Sequence, residues 1–351
     1  MTGIGYFLRK ERLYILLLVF IILMNVLMGI SDEDKGKTGK AIDFSLEKKK
    51  EGIEDIFLKR EEMEKVLRQK KPLAMLFSLA SLLVLAILSL GIVIDVILAS
   101  LKMSKKTLDI QTHKVKVVRW NVLDVSRVVI LFLFFGYMVI LIESALIGTF
   151  PILKNDNFRM MLNSSILDVL GVIFVIYFTV VQYKEDLVSI GLSIKNFFKN
   201  VFYGMAGYIA TVPVLIGVLA VIVLIIHLTK YVPEKQPVVE LFLKEENARF
   251  LVYSSVFAAV VGPFIEELFF RGFMYNAFKK YIGIFWATIF TAGIFAALHT
   301  NIVGFLPIMI LGITLAYLYE KTGTLVSSIT VHIIHNLSMV FLIFLIKQVK
   351  A

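Results

Sequence analysis

The sequence predicts an all-α fold, a polytopic bundle of about nine transmembrane helices with an amphipathic helix in the first long loop. Of the 351 residues, 58% are hydrophobic and 18% are charged, which is more apolar side chain than the core of one soluble domain would take. Runs of about 20 apolar residues recur along the chain, the length that crosses a hydrocarbon layer of about 30 Å. Both observations exclude an ordinary soluble enzyme.

Composition also narrows the chemistry and the partners. The chain has no Cys, so disulfides, thiolate nucleophiles and cysteine metal sites are excluded. Lys and Arg number 37 against 27 Asp and Glu, a net charge of +10. In so apolar a chain, this excess indicates cytoplasmic loops and contact with anionic lipid headgroups rather than nucleic acid. We therefore expect membrane lipid as a partner and no nucleic acid.

Apolar runs predict the individual spans. They are Leu13 to Ile30, Leu73 to Ser100, Val128 to Phe150, Ile166 to Tyr183, Val201 to Leu228, Leu251 to Phe270, Ile282 to Leu298, Phe305 to Tyr319 and Leu325 to Ile346. The first run follows basic residues as in a signal peptide, but it is too long and lacks a small-residue cleavage site. We interpret it as an uncleaved anchor.

Basic residues predict the orientation. Four Lys- and Arg-rich segments fall on one side if nine spans alternate: Arg9 to Arg12, Lys102 to Arg127, Lys184 to Lys199 and Arg271 to Lys280. That side, with the N-terminus, is predicted to be cytoplasmic. The loop from Ser31 to Lys71 argues against this orientation, since it carries many lysines on the other side of the membrane. We expect a multi-pass protein of a prokaryotic plasma membrane.

The same loop carries apolar residues at helical spacing. They are Ile53, Ile56, Phe57, Met63, Val66 and Leu67. This pattern favours an amphipathic helix on the membrane surface or over the bundle, and a partner-binding helix is the alternative.

Two adjacent glutamates stand in an apolar stretch. Glu266 and Glu267 follow Gly262 and Pro263, a pair that predicts a break or kink. Glu267 precedes Arg271 by four positions, the favourable order for an ion pair on a helix. Glu266 points about 100° away from that pair. Two carboxylates in a low dielectric do not both ionise cheaply, so this arrangement leaves Glu266 suited to acid–base work.

Histidines supply the other candidate groups. Phe295 and His299 share a helix face at the end of one apolar run. His332 and Asn336 share a face on the last run, with His335 about 60° to one side. His335 is interpreted as a supporting or helix-linking residue.

Helix rise predicts which of these groups meet. A turn near Gly283 lies midway in sequence between Glu267 and His299, so a helical hairpin would place the two residues at similar depth in the membrane. Measured from a turn near Gly323, His332 lies roughly 10 Å away in depth unless tilt, a kink or a high-lying turn corrects it.

Together these groups suit the addition of water to a carbonyl. Glu266 with His299 would deprotonate water, and His332 with Asn336 would donate to the developing oxyanion. A zinc ion held by Glu266, His299 and His332 is an alternative, since catalytic zinc takes such ligands, although an H-E-x-x-H motif is absent. The cofactor is therefore none or a divalent metal.

Three motifs in order carry a family resemblance. The motifs are E-E-x-x-x-R, F-x-x-x-H and H-x-x-x-N, formed by Glu266, Glu267, Arg271, Phe295, His299, His332 and Asn336. With them the sequence resembles the CPBP intramembrane proteases, also called the Abi or CAAX-protease-like family, which includes the type II CAAX prenyl endopeptidases. The resemblance covers roughly Val172 to Ile346 and includes "KEDLVSIGLSI". We therefore predict an extension at 1–165, with three transmembrane helices and a charged loop at 31–71, and a protease-like core at 166–351.

The resemblance implies an intramembrane endopeptidase that cleaves a membrane-associated or prenylated peptide or protein. It implies that Glu266 with His299 activates water, that His332 and Asn336 form the oxyanion site, and that Glu267 and Arg271 support them. Both a metal-dependent and a metal-free mechanism have been considered for the family, and the sequence leaves both open. A non-enzymatic membrane protein is the alternative function: a bacteriocin-immunity factor, a scaffold or a proton or ion carrier that uses the buried carboxylates.

Overall fold

The computed structural model describes residues 3–38, 68–106, 109–231, 233, 237–299 and 301–350. In these ranges the regular secondary structure is helical and no strand occurs, so the predicted all-α class is confirmed. The α-helices are α1 Gly3–Lys10, α2 Arg12–Thr38, α3 Lys71–Met103, α4 Val122–Leu146, α5 Asp156–Ile176, α6 Phe197–Thr229, α7 Pro237–Lys244, α8 Ala248–Val256, α9 Gly262–Glu267, α10 Asn276–Leu298, α11 Ile302–Thr322 and α12 Leu325–Lys350.

Most of the long helices coincide with the predicted spans. Within the described ranges, seven continuous helical stretches are long and apolar enough to cross a membrane, and Arg12–Met28 is a shorter apolar one. One of the seven, Ala248–Leu298, contains two predicted spans, so the prediction of about nine agrees with the structure. The protein is a multi-pass membrane protein. The predicted amphipathic helix lies outside the described residues.

The chain divides into two compact units that are interleaved along the sequence. One unit comprises Met1–Gln69 and Ser126–Phe174, and the other comprises Lys70–Val125 and Val175–Ala351. The predicted division into 1–165 and 166–351 stays a prediction.

The first unit contains a buried ion pair between α2's N-terminal end and α4. The Nε of Arg127 donates to Oε2 of Glu11 at 2.9 Å, and a second guanidinium nitrogen donates to Oε1 of the same carboxylate. Both side chains are largely buried. Because two parallel hydrogen bonds fix a guanidinium against a carboxylate, this pair ties the two helices together.

In the second unit, the stretch Ala248–Leu298 doubles back at Gly283. Gly283 has φ 73° and ψ 173°, a left-handed conformation that L side chains rarely adopt. Aromatic rings meet on either side of this turn: Phe278 with Phe290 at 4.9 Å and Phe270 with Phe295 at 5.1 Å between centroids. The predicted helical hairpin is therefore confirmed.

The first arm of the hairpin is not a regular α-helix. π-helical turns occupy Phe257–Val261 and Leu268–Tyr275, on either side of α9. Gly262 keeps helical angles, φ −54° and ψ −56°, so of the predicted break or kink at Gly262 and Pro263 there is no break, and the irregularity is the π-helical turn directly before this pair. Pro263 has no N–H to continue the α-helical bonding, and the chain accommodates this with a wider turn instead of a break.

The segment Lys184–Ile194 supports the same arm. A short 3₁₀ turn, Leu187–Ile190, begins at Asp186, whose carboxylate accepts from the N–H of Ser189. The following Gly191 has φ 82°, and its carbonyl accepts from the N–H of Leu325 at 2.9 Å. This contact fixes the beginning of α12, the helix that carries His332.

Candidate active site

Glu267, at the end of α9, is the centre of a buried polar cluster. Its Oε1 accepts from a guanidinium nitrogen of Arg271 at 2.6 Å and from Nδ1 of His332 at 3.0 Å. A second guanidinium nitrogen of Arg271 donates to the carbonyl of Gly312 at 3.3 Å. All three side chains are almost completely buried. The predicted helical pair of Glu267 and Arg271 is present, and it continues to His332 on another helix.

Phe295 packs against the cationic and imidazole groups of this cluster. The guanidinium carbon of Arg271 lies 4.4 Å from the ring centroid, a cation–π distance. The imidazoles of His299 and His332 lie edge-on at 4.7 Å and 5.6 Å between centroids. The phenylalanine of the F-x-x-x-H motif therefore sets the positions of three polar side chains at once.

His332 lies closer to the glutamates than helix rise predicts. The depth offset of roughly 10 Å that regular helix rise gives is absent, and the exception stated with it applies, since His332 contacts Glu267 directly. The estimate took the turns at Gly283 and Gly323 as equally deep and the helices as regular, whereas the hairpin arm contains two π-helical turns.

Glu266 presents a carboxylate to the other side of His332. Its Oε2 lies 3.6 Å from Nε2 of His332, slightly longer than a direct hydrogen bond. This oxygen and Oε2 of Glu267 are both buried without a hydrogen-bond partner. The side chain of Glu266 is nevertheless 37% exposed, against 0% for Glu267. Glu266 is thus the accessible carboxylate of the pair.

The imidazole of His332 lies between the two glutamates. Its Nδ1 faces Oε1 of Glu267 at 3.0 Å, and its Nε2 faces Oε2 of Glu266 at 3.6 Å. Each ring nitrogen is therefore directed at a different carboxylate.

His299 ends the second arm of the hairpin and is exposed. Its Nδ1 lies 2.8 Å from the carbonyl oxygen of Phe295, and because a carbonyl oxygen only accepts hydrogen bonds, Nδ1 is the donor. Among the described residues, no hydrogen bond joins His299 to Glu266. In the described part of the chain, the rings of Phe295 and His332 connect the two predicted water-activating groups.

Asn336 and His335 lie near His332 on α12. The amide Nδ2 of Asn336 donates to the carbonyl of Ala258, in the first π-helical turn, at 2.9 Å. Its second N–H is not used in this bond. His335 packs edge-on against Tyr208 with centroids 6.0 Å apart, and its Nδ1 is buried without a partner. Asn336 thus links two helices and keeps one donor for a ligand.

The residues present do not fit a metal ion in this conformation. In the part of the chain that the structure describes, no three His, Asp or Glu side chains group together as metal ligands. Glu266, His299 and His332 therefore form no ready ligand set in this conformation.

Sequence reasoning missed two supports of the site. One is the carbonyl of Gly312, which accepts from Arg271, and the other is Trp120, whose indole contacts the second π-helical turn. A backbone carbonyl leaves no sequence signal. A tryptophan in a basic loop between two spans is a weak signal for an interfacial anchor.

Comparison with known proteins matches the segment that carries the site. Residues 248–338 match the family model "Type II CAAX prenyl endopeptidase Rce1-like". The chain is also 28% identical over 87 residues to "Putative membrane peptidase YdiL" of Bacillus subtilis (strain 168), a match that covers 25% of this chain and 36% of that protein. No solved structure matches. The predicted resemblance is therefore confirmed for the site-bearing segment, and the matched region spans about a third of the curated relative.

Proposed function

We propose that this protein is an intramembrane endopeptidase that hydrolyses a peptide bond of a membrane-associated or prenylated peptide or protein. The main support for this proposal is a pair of buried carboxylate oxygens, one on Glu266 and one on Glu267. Both lack a hydrogen-bond partner and lie beside the imidazole of His332. Such unsatisfied groups are costly unless a substrate or water uses them. The similarity of residues 248–338 to type II CAAX prenyl endopeptidases supports the same reaction.

In the proposed first step, water adds to the scissile carbonyl. Glu266, assisted by Nε2 of His299, accepts a proton as the water oxygen bonds to the carbonyl carbon. The carbonyl oxygen gains the electron pair of its π bond. Nε2–H of His332 and the second amide N–H of Asn336 donate to the resulting oxyanion.

In the second step, the tetrahedral intermediate collapses. The C–O double bond reforms, the C–N bond breaks, and the proton held by Glu266 passes to the leaving nitrogen. The products are a carboxylic acid and an amine, which accounts for the atoms of water and the peptide. Glu267 and Arg271 take no part in bond making and hold His332 in place.

We further propose a prokaryotic plasma membrane with the N-terminus in the cytoplasm. The four Lys- and Arg-rich segments on one side support this orientation.

The proposal is tested by peptide cleavage in liposomes. Wild type, Glu266→Gln and His299→Ala are compared on a panel of prenylated and plain peptides, with and without a metal chelator. Exposed residues supply the matched controls Glu246→Gln and His227→Ala. We expect both site variants to lose turnover by about 100-fold or more, while the controls retain it.

Each outcome bears on a different part of the proposal. Chelator resistance would support metal-free activation of water, whereas inhibition reversed by one divalent cation would assign the site a metal. Turnover retained by Glu266→Gln would contradict the assignment of the base. No cleavage of any peptide by folded wild type would favour the non-enzymatic alternative.

A further inference from the structure

The segment 109–121, here called the strap, lies in the second unit ahead of α4. Its first half is fixed to the end of α11 by the backbone N–H groups of Thr112 and His113, which donate to the carbonyl of Thr322 at 3.2 Å and 2.9 Å. The hydroxyl of Thr112 also donates to Asn200 at 2.8 Å. Nε2 of His113 lies 2.9 Å from the hydroxyl of Ser193. This half contacts the bundle away from the candidate site.

The second half of the strap contacts the helix arm that carries the site. Trp120 has 0% exposure, and its Nε1 donates to the carbonyl of Phe273 at 2.9 Å. The two rings are stacked, with centroids 5.2 Å apart and an interplanar angle of 12°. Nζ of Lys280 donates to the carbonyls of Val118 and Trp120. Hydrogen bonds therefore join the strap and the arm, with one donor on the strap and one on the arm.

Between its two fixed points the strap spans a cavity. The cavity has a volume of about 380 Å³ and lies between residues 115–118 and the beginning of α10. Trp120 does not line this cavity and packs directly against the arm through Phe273.

The carbonyl that Trp120 binds belongs to the second π-helical turn, Leu268–Tyr275. A π-helical turn displaces carbonyls from regular α-helical bonding, and side chains commonly satisfy them. Nδ2 of Asn276 donates to the carbonyls of Arg271 and Gly272 at 3.3 Å and 2.8 Å. Nε1 of Trp120 donates to the carbonyl of Phe273. Side-chain donors thus bond to three consecutive carbonyls beginning at Arg271.

We propose that Trp120 is a positioning residue of the candidate active site, an inference that rests on the proposed function. Its indole N–H and its stacked ring fix the π-helical turn in the register that aims the Arg271 guanidinium at Glu267. Through Glu267 this register also sets His332. Trp120 lies outside residues 248–338, so the family similarity does not account for it.

The chain contains two Trp, so the second one can serve as a control for substitution of the first. Trp286 is 62% exposed, so Trp286→Phe is the matched control and is expected to keep wild-type turnover. Trp120→Phe keeps an aromatic ring and removes the N–H donor. We expect it to lower kcat about tenfold with KM within about twofold, since a misplaced group impairs the chemical step more than binding. An unchanged kcat per folded molecule would overturn the proposal.

A second variant covers the case in which Trp120→Phe does not fold. Lys280→Met releases the carbonyls of Val118 and Trp120 and leaves the indole in place. It should lower kcat in the same direction by about threefold. Wild-type kcat in folded Lys280→Met would count against the strap as a positioning element.

Fluorescence separates this proposal from the proposed function. In the Trp286→Phe protein, Trp120 is the one remaining tryptophan, and it is excited selectively at a wavelength that tyrosine does not absorb. Its emission should be that of a buried indole and weakly quenched by iodide, and Glu267→Gln should increase the quenching. Quenching that is unchanged by Glu267→Gln would overturn the coupling. If wild type cleaves no peptide but the quenching responds as expected, the proposed function fails and the Trp120–Glu267 link stands.

Discussion

Among the described residues, each unit contains a buried glutamate–arginine pair, and the two pairs differ in how completely hydrogen bonds satisfy their carboxylates. In the first unit, Arg127 donates to both oxygens of Glu11. In the second, Oε1 of Glu267 takes two donors, while Oε2 of Glu267 and Oε2 of the adjacent Glu266 have none.

This difference distinguishes a structural pair from the one that we propose to be reactive. Burying an ion pair is costly, and the cost is recovered only where hydrogen bonds satisfy the charged atoms. The pair of Glu11 and Arg127 meets that condition and leaves nothing for a ligand. The cluster around Glu267 leaves two carboxylate oxygens beside an imidazole, an arrangement suited to binding and activating water.

The largest effect on stability is expected for Glu267→Gln. The change leaves Arg271 and His332 buried without their carboxylate, which should cost about 3–5 kcal/mol in the free energy of unfolding. Turnover should fall as well, because His332 loses its orientation. Thermal unfolding in detergent and a cleavage assay measure the two effects, and a variant that loses turnover but keeps wild-type stability would contradict this account of the cluster.

Glu11→Gln is the matched change in the other pair. The side chain of Arg127 is 12% exposed, against 2% for Arg271. The expected loss in the free energy of unfolding is therefore at the lower end of the range for a broken buried pair, about 3 kcal/mol. The kcat of the folded fraction should stay at the wild-type value. A reduced kcat in folded Glu11→Gln would mean that the first unit also contributes to the reaction.

Phe295→Leu tests the aromatic support of the cluster. The change removes the ring beneath the guanidinium of Arg271 and should cost about 2 kcal/mol in the free energy of unfolding. Phe285 is 66% exposed, so Phe285→Leu is the control and should stay within about 0.5 kcal/mol of wild type. Equal losses in both variants, measured by thermal unfolding, would contradict the claim that the ring of Phe295 supports the cluster.

The smallest effect is expected at Asp186, outside the spans. The hydrogen bond from Lys116 and then that from the N–H of Ser189 lower the pKa of this carboxyl. A lowered pKa stabilises the folded state above the ordinary carboxyl pKa of about 3.9, and the benefit is lost as the pH falls through the lowered value. Asp186→Asn keeps the capping oxygen and should cost about 0.5 kcal/mol at neutral pH, an estimate for an exposed ion pair. The difference should vanish in strong acid, and a difference that persists there would point to the lost geometry instead of the charge.

Much of the fold could be predicted because spans and ion pairs are local features. Apolar run length gives the helices, and four-residue spacing gives the pairing of Glu267 with Arg271 and the shared face of Phe295 and His299. The hairpin at Gly283 follows from a glycine between two apolar runs. These features need no knowledge of how helices pack.

The placement of His332 and Trp120 could not be predicted in the same way. Helix rise assumes regular helices and equally deep turns, and the two π-helical turns violate the first assumption. The strap depends on a tertiary bond from Trp120 to a carbonyl 153 positions away. Neither feature has a periodic signal in the sequence.

The most direct test of the central claim compares Glu266→Gln and Glu11→Gln in one lipid preparation, with kcat and thermal unfolding measured on the same samples. The account predicts that Glu266→Gln loses turnover and keeps its unfolding temperature, because its Oε2 has no hydrogen-bond partner in the protein. It predicts the reverse for Glu11→Gln. Wild-type kcat in Glu266→Gln would contradict the claim that the unsatisfied carboxylate activates water.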